Sequence, residues 1–238
     1  MLLFPFFENI EDRRFLIVGG GRIAKQKLSV LMRFTDRITL VAEDFAPEVE
    51  SIKGVEKNHK KPEESSGPVL MRKRFSPEDL ELGDYIIAAT SDRALNEEIS
   101  RLAREKKKPV NVVDDAELCT FFFPALIRKG GLVVGVSTSG KSPAYAGHLR
   151  REIEALVPDH IEEILDTLES CRSWLPEILP EQKERGQFLK ELMQQLLEEA
   201  EAGTLRESES GKADCRETEI RELAAARARD LKKRREQT

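Results

Sequence analysis

Cysteine is scarce: Cys119, Cys171 and Cys215 are the only three in 238 residues, and no CxxC spacing occurs. An odd, scattered set excludes a disulfide framework and fits a reduced, cytoplasmic protein. Histidine is equally rare. His59, His148 and His160 have no ligand spacing among themselves or with the cysteines, so no stable metal site is expected. No apolar run approaches the roughly 20 residues needed to span a bilayer. Met1–Phe7 is apolar but short, lacks a basic flank and runs into charged Glu11–Arg14, so neither a signal peptide nor a membrane partner is expected. An excess of positive charge is missing too. The formal net charge of −5 argues against a nucleic-acid partner, because phosphate contacts need a local basic surplus.

What is present is a globular but charge-rich composition, 39% hydrophobic and 35% charged. The length suits one large domain, or a nucleotide-binding domain with a smaller module. The charge is uneven. Leu197 to Glu219 holds eight acidic residues against three basic ones, whereas Lys232, Lys233, Arg234 and Arg235 form a basic cluster. This pattern reads as an exposed tail.

The clearest element is Phe15-Leu16-Ile17-Val18, an apolar run that stops at Gly19-Gly20-Gly21 and reads as a buried parallel strand. Arg22 to Phe34 follows with helical spacing, and Arg37–Ala42 reads as a second strand ended by Glu43-Asp44. Lys57 to Gly67 is a polar insertion, with weak strand character near Val69–Met71. Tyr85–Thr90, Leu95–Glu105 and Pro109–Val113 continue as strand, helix and strand, which implies a parallel sheet. After Asp115 the rhythm changes. Thr120–Ile127 and Leu132–Ser137 read as two strands of a hairpin joined through Gly130-Gly131. Ser142, with Pro143 behind it, is set to cap a long helical stretch, broken near Pro158, Pro176 and Pro180. Thr218–Glu236 is expected to form a charged, poorly ordered helix with a thin stripe of Ile220, Leu223, Arg227 and Leu231. The chain is thus α/β: a Rossmann-type parallel sheet over 1–115, a hairpin and dimerisation segment over 116–145, a helical domain over 146–204 and a charged tail over 205–238.

Gly19-x-Gly21-x-x-Ala24 matches the dinucleotide fingerprint. The first glycine permits a tight turn, the second lets backbone approach a pyrophosphate, and the small third residue lets helix and strand pack closely. Its place between a strand and a helix points to dinucleotide binding. Glu43 and Asp44, about 20 residues on, are suited to ribose hydroxyls and favour NAD over NADP, although Arg22 offers an alternative contact for a 2′-phosphate.

Four further stretches carry a family likeness: Pro5-Phe6-Phe7 ahead of the glycine strand, Ile87-Ala88-Ala89-Thr90, Asn111-Val112-Val113-Asp114, and Val136-Ser137-Thr138-Ser139-Gly140-Lys141-Ser142-Pro143. With these the chain resembles the precorrin-2 dehydrogenase/sirohydrochlorin ferrochelatase family, found alone or as the N-terminal part of bifunctional sirohaem synthase. The likeness covers residues 1 to about 165 and departs in the insertion around 57–68 and beyond about 205. No counterpart of the methyltransferase domain of the fused enzymes is expected.

The resemblance implies NAD-dependent oxidation of precorrin-2 to sirohydrochlorin, in sirohaem and wider porphyrin biosynthesis, and it extends to iron insertion with Fe2+ as substrate. It places Gly19, Gly20, Gly21, Arg22 and Ile23 along the NAD pyrophosphate, Glu43 and Asp44 at the adenosine ribose, and Thr90 beside the cofactor. Asp114 matches the family's catalytic aspartate, with Asp115 as its rival. The resemblance also implies a homodimer built through the segment after the Rossmann domain. The tetrapyrrole carries many carboxylates, so Ser137, Thr138, Ser139, Gly140, Lys141 and Ser142 are expected to offer it donors at a helix start. Arg128, Lys129, Arg150 and Arg151 lie nearby in sequence, but Lys141 is the better candidate. His148 and Cys119 read as an ordinary helix residue and a buried thiol. A rival reading, an NAD(H)-sensing module acting through the helical tail, accounts for the glycine loop but not for Asp114 and the segment Ser137–Pro143.

Overall fold

The computed structural model describes residues 3–57, 67–204 and 213–236, so most of the polar insertion and the start of the tail lie outside the described residues. The chain divides into two compact units, Met1–Phe123 and Pro124–Thr238.

The first unit is a six-stranded, all-parallel sheet. Its strands are β1 (Phe15–Val18), β2 (Ile38–Ala42), β3 (Glu56–Lys57), β4 (Val69–Arg72), β5 (Tyr85–Ala88) and β6 (Val110–Val112), ordered β3-β4-β2-β1-β5-β6. All four residues of β1 are buried, because alternate side chains face opposite layers and both layers are covered. On one face Phe15, Ile17, Leu40 and Ile87 meet Ala24, Leu28 and Leu31 of α1 (Arg22–Leu31). On the other, Leu16, Val18, Ile86 and Ala88 meet Ile99 and Ala103 of α3 (Arg93–Glu105) and Leu80 of a 3-10 turn (Pro77–Leu82). A four-residue helix, α2 (Pro47–Glu50), follows β2. The stretch with weak strand character is an inner strand: β4 pairs with both β2 and β3, and Val69 and Leu70 are buried there.

In the second unit, β7 (Ala125–Lys129) and β8 (Leu132–Val136) form an antiparallel hairpin. Its two-residue turn starts at Gly130, whose φ of +52° lies in the left-handed region that glycine adopts at no steric cost. The expected strand over Thr120–Ile127 starts only at Ala125. Thr120 is held at the edge of β6 instead: its N–H donates to the Val110 carbonyl and its hydroxyl accepts from the Val110 N–H, both at 2.7 Å. Phe121 packs edge-on against Tyr85. Pro124 then separates this edge segment from the hairpin.

Among the described residues four helices complete the unit: α4 (Pro143–Leu156), α5 (Ile161–Ile178), α6 (Gln182–Glu201) and α7 (Ala213–Glu236). Breaks fall near Pro158 and Pro180 as the sequence suggests, but Pro176 lies inside α5. A proline there gives up one backbone bond in the last turn, and the helix ends two residues later. Ser142 caps α4, its hydroxyl accepting from the Tyr145 N–H at 3.2 Å. Ser142→Ala should lower the stability of this unit by about 1 kcal/mol, measurable by denaturant titration.

The tail helix differs from the expectation of poor order. Ile220 (4% exposed) and Ala224 (0%) are buried among Cys171, Trp174, Leu175, Leu192 and Leu196, with Ala228 and Leu231 packed behind them. The stripe runs at i, i+4, i+8 and i+11 through two alanines, which a search for large apolar residues undervalues, and Leu223 is left exposed. Arg227 is paired to Glu184 and Glu191. Truncating Ile220 to Ala is therefore expected to cost roughly 2–5 kcal/mol. A melting temperature unchanged from wild type would show that α7 does not share this core.

Candidate functional site

The cofactor end of the first unit is built by the turn between β1 and α1. Gly19 has φ +130°, and a Cβ there would sit 2.3 Å from the Ala89 carbonyl oxygen. A Cβ on Gly20 would stand 2.0 Å from the Asp44 carbonyl oxygen, and the Gly20 carbonyl accepts from the Ala46 N–H at 2.8 Å. The turn is thus pressed between the ends of β5 and β2 with no room for side chains. Gly21 is the opposite case: nothing lies within 4 Å of the place a Cβ would take. It occupies the N-cap of α1 and supplies no side-chain cap, and the first turn has no acidic residue. The leading N–H groups of α1 and the positive end of its dipole lie beside this open position. Ala24, fully buried, lets α1 lie close on the sheet.

Beside this opening is a cleft of about 530 Å³ lined by residues of three segments: Gly21, Arg22 and Ile23; Ala89 to Ser91 with Arg93 and Asn96; and Val112 to Asp115 with Leu118. It lies at the C-terminal ends of β1, β5 and β6, where ligands bind in open parallel sheets. The open Gly21 position, the uncapped helix start and the adjoining cleft fit a dinucleotide.

Thr90 is held in a small network. Its hydroxyl meets Asn96 Oδ1 at 2.8 Å, while Asn96 Nδ2 donates to the Thr90 carbonyl at 3.0 Å. Asp92 caps α3 by accepting from the Leu95 N–H.

The two neighbouring aspartates part company here. Asp115 is engaged: its carboxylate accepts from the Glu117 N–H at 3.2 Å and lies 3.9 Å from Arg93. Asp114 takes the left-handed conformation, φ +61°, which Asp adopts more readily than most residues. Among the described residues its carboxylate has no hydrogen-bond or ion-pair partner, and it lines the cleft. The capping duty at this turn falls to Asp115.

Two groups near Asp114 escape a sequence reading. Asn96 is buried at the cleft wall, six residues beyond Thr90. Lys27 lies one helical turn beyond Ile23 on α1, half-buried, with its ammonium 4.1 Å from the centroid of the Phe123 ring. Burial pushes its pKa below the ordinary lysine value, opposed by the charges of Cys119 and Asp114. The i+4 spacing from Ile23 was the available signal for Lys27; nothing in the sequence singled out Asn96. Burial raises the Cys119 thiol, and its sulfur contacts backbone groups of Val112 and Asp115. Among the described residues no group of three or more His, Cys, Asp or Glu could hold a metal ion.

Glu43 and Asp44 follow β2, outside the lining of the cleft, and the Asp44 backbone lies against the glycine turn at Gly20. Asp44 pairs with Arg72 at 2.8 Å, and Glu43 lies 3.9 Å from Arg74.

Ser137 to Ser142 belong to the second unit, between β8 and α4. Thr138 Oγ1 accepts from the Ser142 N–H at 3.0 Å, and the Ser137 hydroxyl accepts from the Ser139 N–H at 3.1 Å. Ser139 and Gly140 both have positive φ, and Lys141 is exposed. Lys129 is committed elsewhere, to the Val157 carbonyl and Asp159. Arg150 pairs with Glu154, and His148 is an exposed helix residue.

Residues 6–125 match a family described as "Putative NAD(P)-binding", and residues 129–156 match one described as "Sirohaem biosynthesis protein central". A sirohaem synthase of Zymomonas mobilis is 33% identical over 184 residues, covering 77% of this chain and 37% of that protein. One of Neisseria meningitidis serogroup C is 34% identical over 188 residues, covering 79% and 37%. The chain thus spans less than two-fifths of the length of these relatives. Among solved structures, one described as SirC, precorrin-2 dehydrogenase, superposes with a TM-score of 0.62 at 20% identity, covering 84% of this chain and 100% of that one. Among the described residues no helix is long and apolar enough to cross a membrane.

Proposed function

The chain belongs to this NAD(P)-binding family and carries the sirohaem biosynthesis central segment behind it, and on that premise we propose that it oxidises precorrin-2 to sirohydrochlorin with NAD. One observation carries the reading: Asp114, whose carboxylate has no hydrogen-bond or ion-pair partner among the described residues, lines the cleft beside an uncapped glycine turn. The oxidation removes two hydrogens, one as hydride and one as a proton. Bound along the glycine turn, NAD supplies the hydride acceptor. Asp114 takes the proton, and the left-handed turn after β6 aims its carboxylate without committing it to a cap. Gly21, Arg22 and Ile23 hold the pyrophosphate, Gly19 and Gly20 shape the turn behind them, Thr90 with Asn96 fixes the cleft wall, and Glu43 and Asp44 take the ribose.

The substrate's carboxylates suit the segment Ser137, Thr138, Ser139, Gly140, Lys141 and Ser142, which combines hydroxyls, backbone N–H groups and one exposed cation. Iron insertion into sirohydrochlorin, with Fe2+ as substrate, would draw on the same carboxylate to accept pyrrole protons. A homodimer is part of this proposal. A two-stranded hairpin is marginal by itself, and Tyr145, Leu149 and Leu156 on α4 are 58%, 36% and 82% exposed. Light scattering should give twice the mass of one chain.

The decisive assay supplies purified protein with precorrin-2 and NAD. NADH and the sirohydrochlorin spectrum should appear together; no turnover of the pair would remove the assignment.

A further inference from the structure

The adenosine side of the glycine turn contains an arginine to which the function above gives no role. β4 runs beside β2, with Arg72 opposite Ala42 and the Lys73 N–H donating to the Ala42 carbonyl at 2.9 Å, so the two strand ends are tied together. The Arg72 guanidinium is held from three directions. Nη1 donates to Asp44 Oδ1 at 2.8 Å, Nη2 donates to Glu50 Oε1 of α2, and Cζ lies 5.8 Å from the centroid of the Phe45 ring. Asp44 contrasts with it. Its backbone is fixed against Gly20, but its side chain is 93% exposed and Arg72 is its one ion-pair partner among the described residues. The neighbouring pair, Glu43 with Arg74, is looser at 3.9 Å, with side chains 71% and 89% exposed.

We propose that Arg72 is a positioning residue for ribose recognition: it grips Oδ1 of Asp44 and so presents Oδ2 to the adenosine 2′-hydroxyl. This rests on the reading of the glycine turn as the NAD site. An exposed carboxylate left to itself samples several rotamers, and each must be frozen when ligand binds. An arginine already fixed by Glu50 and Phe45 removes that cost before the ligand arrives. It also occupies the guanidinium that a 2′-phosphate would otherwise recruit, leaving carboxylates at the corner where that phosphate would sit. Such an exposed pair adds little to folding stability, so its removal should be felt in binding.

Calorimetry on the full chain with NAD and with 2′-deoxyadenosine NAD tests this without turnover. Wild type should bind NAD about tenfold more tightly than the deoxy analogue, the order expected of a hydrogen bond to a charged acceptor. Arg72→Met should bring the ratio close to one by weakening NAD alone, and Arg72→Lys should recover part of it. Arg72→Gln replaces the Met variant should that one fail to fold. A tenfold ratio retained without the arginine overturns the inference and leaves the NAD reading standing, as does a wild type blind to the 2′-hydroxyl. Failure of wild type to bind NAD at all overturns both.

Discussion

Replacing Asp114 by Asn should slow precorrin-2 oxidation by about a thousandfold, inside the range of 10²–10⁴ that a positioned general base contributes. NAD affinity should stay within about twofold of wild type, since the pyrophosphate and ribose contacts proposed above lie at Gly21–Ile23 and beyond β2. Asn is the informative substitution because it tolerates the left-handed φ of +61° that this position demands. Asp114→Ala should lose the same activity but carry in addition about 1–2 kcal/mol of backbone strain. Asp115→Asn is the companion variant. Its carboxylate already serves the Glu117 N–H and faces Arg93, so its loss should affect stability more than rate. The NAD(H)-sensing alternative shares the unchanged NAD affinity but forecasts no precorrin-2 turnover in wild type or in either variant. Equal activity of Asp114→Asn and wild type would therefore exclude the proton-acceptor role.

The second large effect is a contrast between adjacent glycines. Gly21→Ala introduces a methyl group where no protein atom lies within 4 Å, at an ordinary φ of −90°. The fold should be untouched and the melting temperature unchanged. NAD binding should nonetheless fall by about 10- to 100-fold, because overfilling a close-packed contact costs about 1–3 kcal/mol and here the contact is the ligand's. Gly20→Ala should do the reverse. Its Cβ would stand 2.0 Å from the Asp44 carbonyl oxygen, which is backbone and cannot swing aside. The variant must separate the glycine turn from the end of β2 and is expected to melt early or accumulate as aggregate. Calorimetric NAD titration of both, beside thermal melts, checks the pair. A Gly21→Ala protein that binds NAD as wild type does would mean that no pyrophosphate approaches this helix start.

Much of this arrangement is written locally. Phe15–Val18, the three glycines and the amphipathic run from Arg22 are neighbours in the chain, and their alternation and periodicity dictate a buried strand, a tight turn and a helix start. The same holds for Ser142-Pro143 at the head of α4 and for Gly130 in the hairpin turn, since capping and left-handed backbone are properties of a few consecutive residues. Fold class and the position of the cofactor turn follow from such short-range rules. Other features depend on partners far away in sequence. An apolar run such as Thr120–Ile127 satisfies strand patterning throughout, yet its first half is captured by the edge of β6. Ala224 of α7 became core, with Ala228 partly buried beside it, only because apolar residues of α5 and α6 pack there. Asp114 and Asp115 are indistinguishable as letters. One was tied by Glu117 and Arg93 and the other left open because the turn after β6 rotates them apart, and the pairing of Arg72 with Asp44 spans 28 residues. The chain's own order set the secondary structure and the glycine signature; three-dimensional packing chose which carboxylate is paired among the described residues, because a charge is committed or available only according to what the fold brings within hydrogen-bonding distance of it.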